Sequence, residues 1–301
     1  MELRWRRRYL RLPELPDDRK TPIGGALVVN LAFPAPLANL SGHMRAHVAI
    51  RLEQWFLDYA APFIDGNAAT EVLRLKREHC RRVAEDMTGM ARDLGLAEDD
   101  IHTARVLGWL HDVGRFPQYA RYQTLRDDRS VNHGQAGLQV LNSAQALAIC
   151  EPADREIIVA GVGYHNRRAV PPGLAADVLR FVLMIRDADK LDIMQTLYEV
   201  WKNDEIQCHP ELILGIDLEG PVNPLVLADI RARRPVAYAN IKSLTDFFLT
   251  QVSWVYDLNF RPAYQRLAQR RLLEQAAEVL PQEAVVQAEV AAAARHVRAH
   301  M

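Results

Sequence analysis

The chain has 301 residues, 25% of them charged and 49% hydrophobic, with a formal net charge of −1. That is a soluble globular composition, long enough for one large domain or two small ones, and its balanced charge argues against nucleic acid as a partner. Cys80, Cys150 and Cys208 are scattered and form no CxxC pair, which excludes a disulfide framework or zinc ribbon and fits free thiols in a cytoplasmic protein.

Residues 1–43 are rich in Pro and Arg and show no sustained period. The basic start "MELRWRRRYL" and the apolar "IGGALVVNLAF" imitate a signal peptide. However, the apolar part begins late, and Pro34 and Pro36 interrupt it without a clean cleavage site. We read an uncleaved, partly disordered extension, with Met44 as an alternative start and "ALVVNLAF" as the only strand candidate. No apolar run approaches the length of a membrane span.

From Met44 onward the spacing predicts helix after helix. "HVAIRLEQWFLDYAAPFI" comes first. In the second helix Leu75, His79, Val83 and Met87 recur at steps of four. "AEDDIHTARVLGWLHD" opens on acidic residues, as a helix N-terminus favours. "GQAGLQVLNSAQALAI" and "DREIIVAGVGYH" follow, then the most apolar helix, "PPGLAADVLRFVLMIRDADKLDIMQTLYEVW". Two more helical stretches lead to Pro281, and residues 282–301 read as an alanine-rich helical tail. The fold class is all-α, with residues 44–281 as one domain. Segments 115–132 and 203–235 read as long loops, which often carry function.

Three of these helices aim a polar group at the face that should be apolar. His79 interrupts the stripe Leu75–Val83–Met87, and His111 lies four after Leu107. Asp189 sits inside Val178, Val182, Ile185, Ile193 and Leu197. A buried unpaired carboxylate costs several kcal/mol. Two histidines and the carboxylates of Asp112 and Asp189 would instead share one divalent ion, whether Mn, Fe, Ni, Co or Zn. Taken singly, each residue is better explained as a satisfied core, ion-pair or capping group. The constellation is the specific signal.

In order and spacing this pattern, His79 in "REHCRRVAEDM", His111-Asp112 in "LHDVGRF" and Asp189 in "RDADKLD", resembles the HD superfamily of metal-dependent phosphohydrolases. The likeness runs from about Met44 to Pro281. It implies an HD-domain bundle of about five core helices, here with additional C-terminal helices. It also implies that His79, His111, Asp112 and Asp189 hold the metal, that Lys190 contacts substrate phosphate, and that Arg115 stands where the motif often has lysine, keeping a phosphate-binding charge.

His133 in "NHGQAG" and His165 in "GYHNRR" fall where two-metal relatives place further ligands, but those relatives often have paired histidines where this chain has Tyr164-His165. We read both histidines first as phosphate-binding or proton-donating groups lining the cleft, and second as ligands of a second metal. Asp112 would also orient the attacking water. Asp192, three after Asp189, is a candidate to support the ligands from behind, whereas Asp187 reads as an ordinary surface or ion-pair carboxylate. Tyr119, Arg121 and Tyr122 are candidate contacts to the substrate.

The implied reaction is hydrolysis of a phosphate ester in a small phosphorylated metabolite or nucleotide. Bound metal lowers the pKa of water toward about 7, and a histidine of pKa near 6.5 protonates the leaving group. Two alternatives stand beside it: a di-iron oxygenase on the same scaffold, which needs extra ligands, and a metal-binding regulatory module without turnover. Homo-oligomerisation is left open.

Overall fold

A computed structural model describes residues 44–65, 70–213 and 215–301. The N-terminal extension and its strand candidate lie outside the described residues. The helices are α1 (Ala46–Ile64), α2 (Thr70–Asp93), α3 (Glu98–Leu110), α4 (Arg115–Tyr122), α5 (His133–Ser143) and α6 (Pro152–Tyr164). The long α7 (Ala176–Lys202) follows, then α8 (Pro224–Arg231), α9 (Leu244–Trp254), α10 (Arg261–Gln269), α11 (Leu272–Val279) and α12 (Ala284–His300). The class is all-α. Among the described residues the one β feature is an isolated bridge between Asp217 and Ser243, and no helix is long and apolar enough to cross a membrane.

The packing follows the apolar stripes. Val83, Met87 and Met90 of α2 are fully buried, as are Leu107 of α3 and Val178, Val182 and Ile185 of α7. α2 and α3 form the most extensive helix pair, and α7 packs against α2, α3 and α6. The C-terminal helices lean on α7 through α10 and α11. They are latched by Arg186 and Lys190, which pair with Asp257 at 3.1 and 2.7 Å, and by Arg270 and Arg266 on Asp86 and Asp93 of α2. The last helix is packed too, through Val286, Ala293 and Val297.

Three readings of the sequence change here. Segment 115–132 is not a continuous loop, because residues 115–122 form α4. A short stretch holding Pro117 and several polar side chains lacks a helical signature, and it is tertiary burial of Phe116 against Phe56 and Phe63 that fixes it. Segment 203–235 likewise contains α8, started by Asn223, whose side chain caps Leu225 N–H. Asp187 is not a surface carboxylate. It is fully buried and accepts from Asn259 N–H, Asn259 Nδ2 and Phe260 N–H at 2.8, 2.8 and 3.0 Å. Burial, only partly offset by Lys190 and Asn259, pushes its carboxyl up to about 6.

Candidate metal centre

Helix ends deliver most of the site. α3 stops at Leu110, so His111-Asp112 stand at its C-terminus, where the last carbonyls lack intrahelical partners and the helix dipole is negative. His111 Nδ1 donates to the carbonyl of Gly108 at 2.7 Å. His165 repeats this at the end of α6, donating from Nδ1 to the carbonyl of Val162 at 2.9 Å. A carbonyl can only accept, so each ring carries its proton on Nδ1 and turns the Nε2 lone pair inward. His133 begins α5 beside the cap Asn132, and its approach depends on Gly114. A Cβ at that glycine would lie 2.1 Å from the His133 carbonyl oxygen and 2.5 Å from Gly137 N. Gly114 is therefore required for close contact, not for an unusual backbone conformation; its φ of −70° is ordinary helical backbone.

The other two histidines are oriented by carboxylates. His79 Nδ1 donates to Asp192 Oδ2 at 2.7 Å, and Arg82 grips the same carboxylate at 2.6 and 2.9 Å. His133 Nδ1 donates to Asp127 at 2.8 Å, and Arg115 Nη1 reaches that carboxylate at 3.2 Å. All four rings thus present Nε2 to a common centre, and all four are buried.

The inward atoms form two groups. In the first, His79 Nε2 lies 3.2 Å from His111 Nε2 and 3.1 Å from Asp189 Oδ1. In the second, His133 Nε2 lies 2.9 Å from His165 Nε2, and Asp112 Oδ1 stands 3.4 and 3.6 Å from these nitrogens. Asp112 joins the groups, because its other oxygen, Oδ2, is 3.5 and 3.8 Å from His79 Nε2 and His111 Nε2. Nitrogen and oxygen ligands about 2.0–2.2 Å from one ion lie roughly 2.8–3.6 Å from each other. Most of these separations fall in that range, and His111 Nε2 stands slightly beyond it, 3.7 Å from Asp189 Oδ1 and 3.8 Å from Asp112 Oδ2.

The unmet valences agree. With the Nδ1 positions donating elsewhere, the paired Nε2 atoms confront each other lone pair to lone pair. Asp112 Oδ1 is buried with no hydrogen-bond partner among the described residues. A cation within each group would satisfy both conditions, so the residues present fit divalent ions.

Charges around the centre are biased toward ligation. Burial raises the Asp112 carboxyl, but Lys76 and Arg115 overcome this and hold it well below its usual range. Asp189 is likewise held well below, His111 and His79 outweighing burial. Burial lowers the His133 imidazole to about 4 and also lowers His111. His79 is the exception: burial and Lys76 lower it, but its bonds to Asp189 and Asp192 outweigh them and raise it, so an ion here must displace a proton.

The remaining expected site residues are placed differently. Arg115 flanks Asp112, with Nε 3.4 Å from Oδ1, but its Nη1 is taken by Gln118, the Leu125 carbonyl and Asp127. Lys190 points to Asp257, 2.7 Å away, and also bonds that residue's carbonyl. Tyr119 is buried and donates to Glu211 at 3.1 Å. Arg121 lies over the ring of its neighbour Tyr122, and none of the contacts of these two reaches the centre. Sequence reading missed Lys76, whose Nζ lies 2.9 Å from Asp112 Oδ2, and Asp127. Lys76 sits one turn before His79, and that spacing was its only available signal.

Residues 77–194 match the family model for the HD domain, a span that holds all six inward-facing residues. No curated protein and no solved structure matches the chain.

Proposed function

We propose, from the match of residues 77–194 to the HD domain, that the chain is a phosphohydrolase using two divalent ions on a small phosphorylated metabolite or nucleotide. The observation that carries this reading is Asp112, whose two oxygens face two separate histidine groups. His79, His111, Asp112 and Asp189 would hold one ion, and Asp112, His133 and His165 the other. On this reading His133 and His165 are ligands rather than proton donors, which is supported by their Nε2 atoms being turned to the centre. Bound divalent ions supply Lewis acidity, lowering the pKa of water to about 7 and polarising a phosphoryl oxygen.

The chain's own residues supply the rest. Asp112 fixes the spacing of the two positions. Asp192 with Arg82, and Asp127 with Arg115, hold the rings in one tautomer and orientation. Lys76 and Arg115 place positive charge on either side of Asp112, where the charge of phosphate oxygens is to be neutralised. Lys190 can join them only by leaving Asp257. The half-buried Asp189 marks the open side, since the other five ligating residues are buried.

Loading the metal-stripped protein in turn with Mn, Fe, Ni, Co and Zn, and assaying phosphate release from nucleotides, sugar phosphates and aryl phosphates, tests the reading. Release that needs metal and disappears in folded His111→Ala supports it. No release with any ion overturns it. The second group also supplies the extra ligands that a di-iron oxygenase requires, so iron-loaded protein that consumes oxygen without releasing phosphate would favour that chemistry.

A further inference from the structure

We propose that Asp127 is a positioning residue that sets the affinity of the His133–His165 half of the centre; the inference rests on the two-ion reading above. Asp127 opens a short 3-10 turn, Asp127–Arg129, between α4 and α5. Its carboxylate gathers groups from every element around that half-site. His133 Nδ1 lies 2.9 and 2.8 Å from its two oxygens, and His133 N–H donates at 3.4 Å. Gln118 Nε2 of α4 donates at 2.9 Å, and Asn166 Nδ2, just past α6, at 3.0 Å. Arg115 Nη1 completes the set at 3.2 Å. A carboxylate offers about four lone-pair sites, and these donors occupy its whole capacity.

The two halves of the centre are built alike but anchored unequally. Asp192, behind His79, sits within the long helix α7 with its side chain 3% exposed, whereas the Asp127 side chain is 31% exposed on a turn. The first half is therefore fixed by two packed helices. In the second, His165 is held by the Val162 carbonyl of α6 but His133 depends on one carboxylate in a connecting segment, which makes this the weaker, exchangeable position.

Removing the charge of Asp127 acts in two ways. In Asn the single remaining acceptor oxygen can serve His133 Nδ1 or the Arg115, Gln118 and Asn166 donors but not all of them, so the proton on Nδ1 is held less firmly and Nε2 no longer presents a lone pair consistently. Arg115 loses an anchor, and its Nε already stands 3.4 Å from Asp112 Oδ1, the unpartnered acceptor that an ion in this half would use. The freed guanidinium then competes with the ion for that oxygen.

The test is calorimetric titration of full-length, metal-stripped protein with Zn²⁺, with metal content measured in parallel. Wild type is expected to bind in two steps. Asp127→Asn should keep the tighter step and weaken the other about 10–100-fold, Asp127→Glu should recover most of the loss, and Asp192→Asn should strike the tighter step instead. Two unchanged steps in Asp127→Asn, or equal loss of both, overturns the proposal. A single step in wild type would instead sink the two-ion reading. Imidazole ¹⁵N spectra of metal-free wild type then judge Asp127 separately and need no variant: His133 protonated on Nδ1 is expected, and protonation on Nε2 overturns the role.

Discussion

Gly108→Ala should damage the site without touching a ligand. A Cβ at this position in α3 would lie 2.4 Å from Ala84 Cα and 2.7 Å from Ala84 N on α2. Both are backbone atoms, so no side chain can swing away. Carbon atoms settle at about 3.5–4.0 Å, so the two helices must part by about 1 Å at this seam. Overpacking of this kind costs about 1–3 kcal/mol, and at roughly 2–4 °C per kcal/mol the melting temperature should fall by several degrees. The same seam sets the 3.2 Å between His79 Nε2 and His111 Nε2, and the Gly108 carbonyl itself orients His111. Misplacement of a reacting group by about 1 Å costs on the order of 10²-fold in rate. Thermal melting with and without added metal, followed by steady-state kinetics, measures both effects. A variant that melts, binds metal and turns over like wild type would refute the claim that the α2–α3 seam gauges the first half-site.

Other consequences follow from the same geometry. The metal-stripped protein should lose stability as pH falls from 6.5 toward 4. The folded His133 pKa of about 4 lies below the unfolded value of 6.5, so the unfolded chain binds the proton first. The His133 contribution is about 3 kcal/mol across that window, read as the difference between wild type and His133→Gln in urea unfolding at several pH values. Adding a divalent ion at about 100 times its Kd should stabilise the stripped protein by roughly 2.7 kcal/mol, visible as a higher melting temperature that EDTA reverses. Lys76→Met should keep its full metal content yet lose about 10²-fold in kcat/KM, because the charge beside Asp112 Oδ2 is gone. A parallel loss of metal would make Lys76 structural instead.

The grouping of His79, His111 and Asp189 was legible in the sequence, and that of Asp112, His133 and His165 only partly. His79, His111 and Asp189 stand out because each occupies a helical position whose neighbours at steps of three and four are apolar. Asp192 was reachable from its offset to Asp189. His133 and His165 stand at helix ends, where no period marks which way a side chain faces, so their convergence on Asp112 depends on how α5 and α6 meet. Asp127 gave no signal of its own, lying within a turn, and Lys76, among the charges of α2, gave only its spacing one turn before His79. Lys190 shows the opposite case. Its position beside Asp189 suggested a phosphate contact, but its partner, Asp257, is distant in sequence and comes near only through the packing of the C-terminal helices on α7. α4 was hidden for a related reason, since the residues that stabilise it, Phe56 and Phe63, belong to another helix.

The central claim is tested most directly by one titration: phosphate release by metal-stripped protein, on the best substrate of the panel, as ions are returned in known equivalents. Activity should be absent in the stripped protein, rise as the ions fill both groups, and level off once Asp112 is shared between them. Release that persists after stripping, or none at any ion loading in a protein that binds its metal, would contradict it.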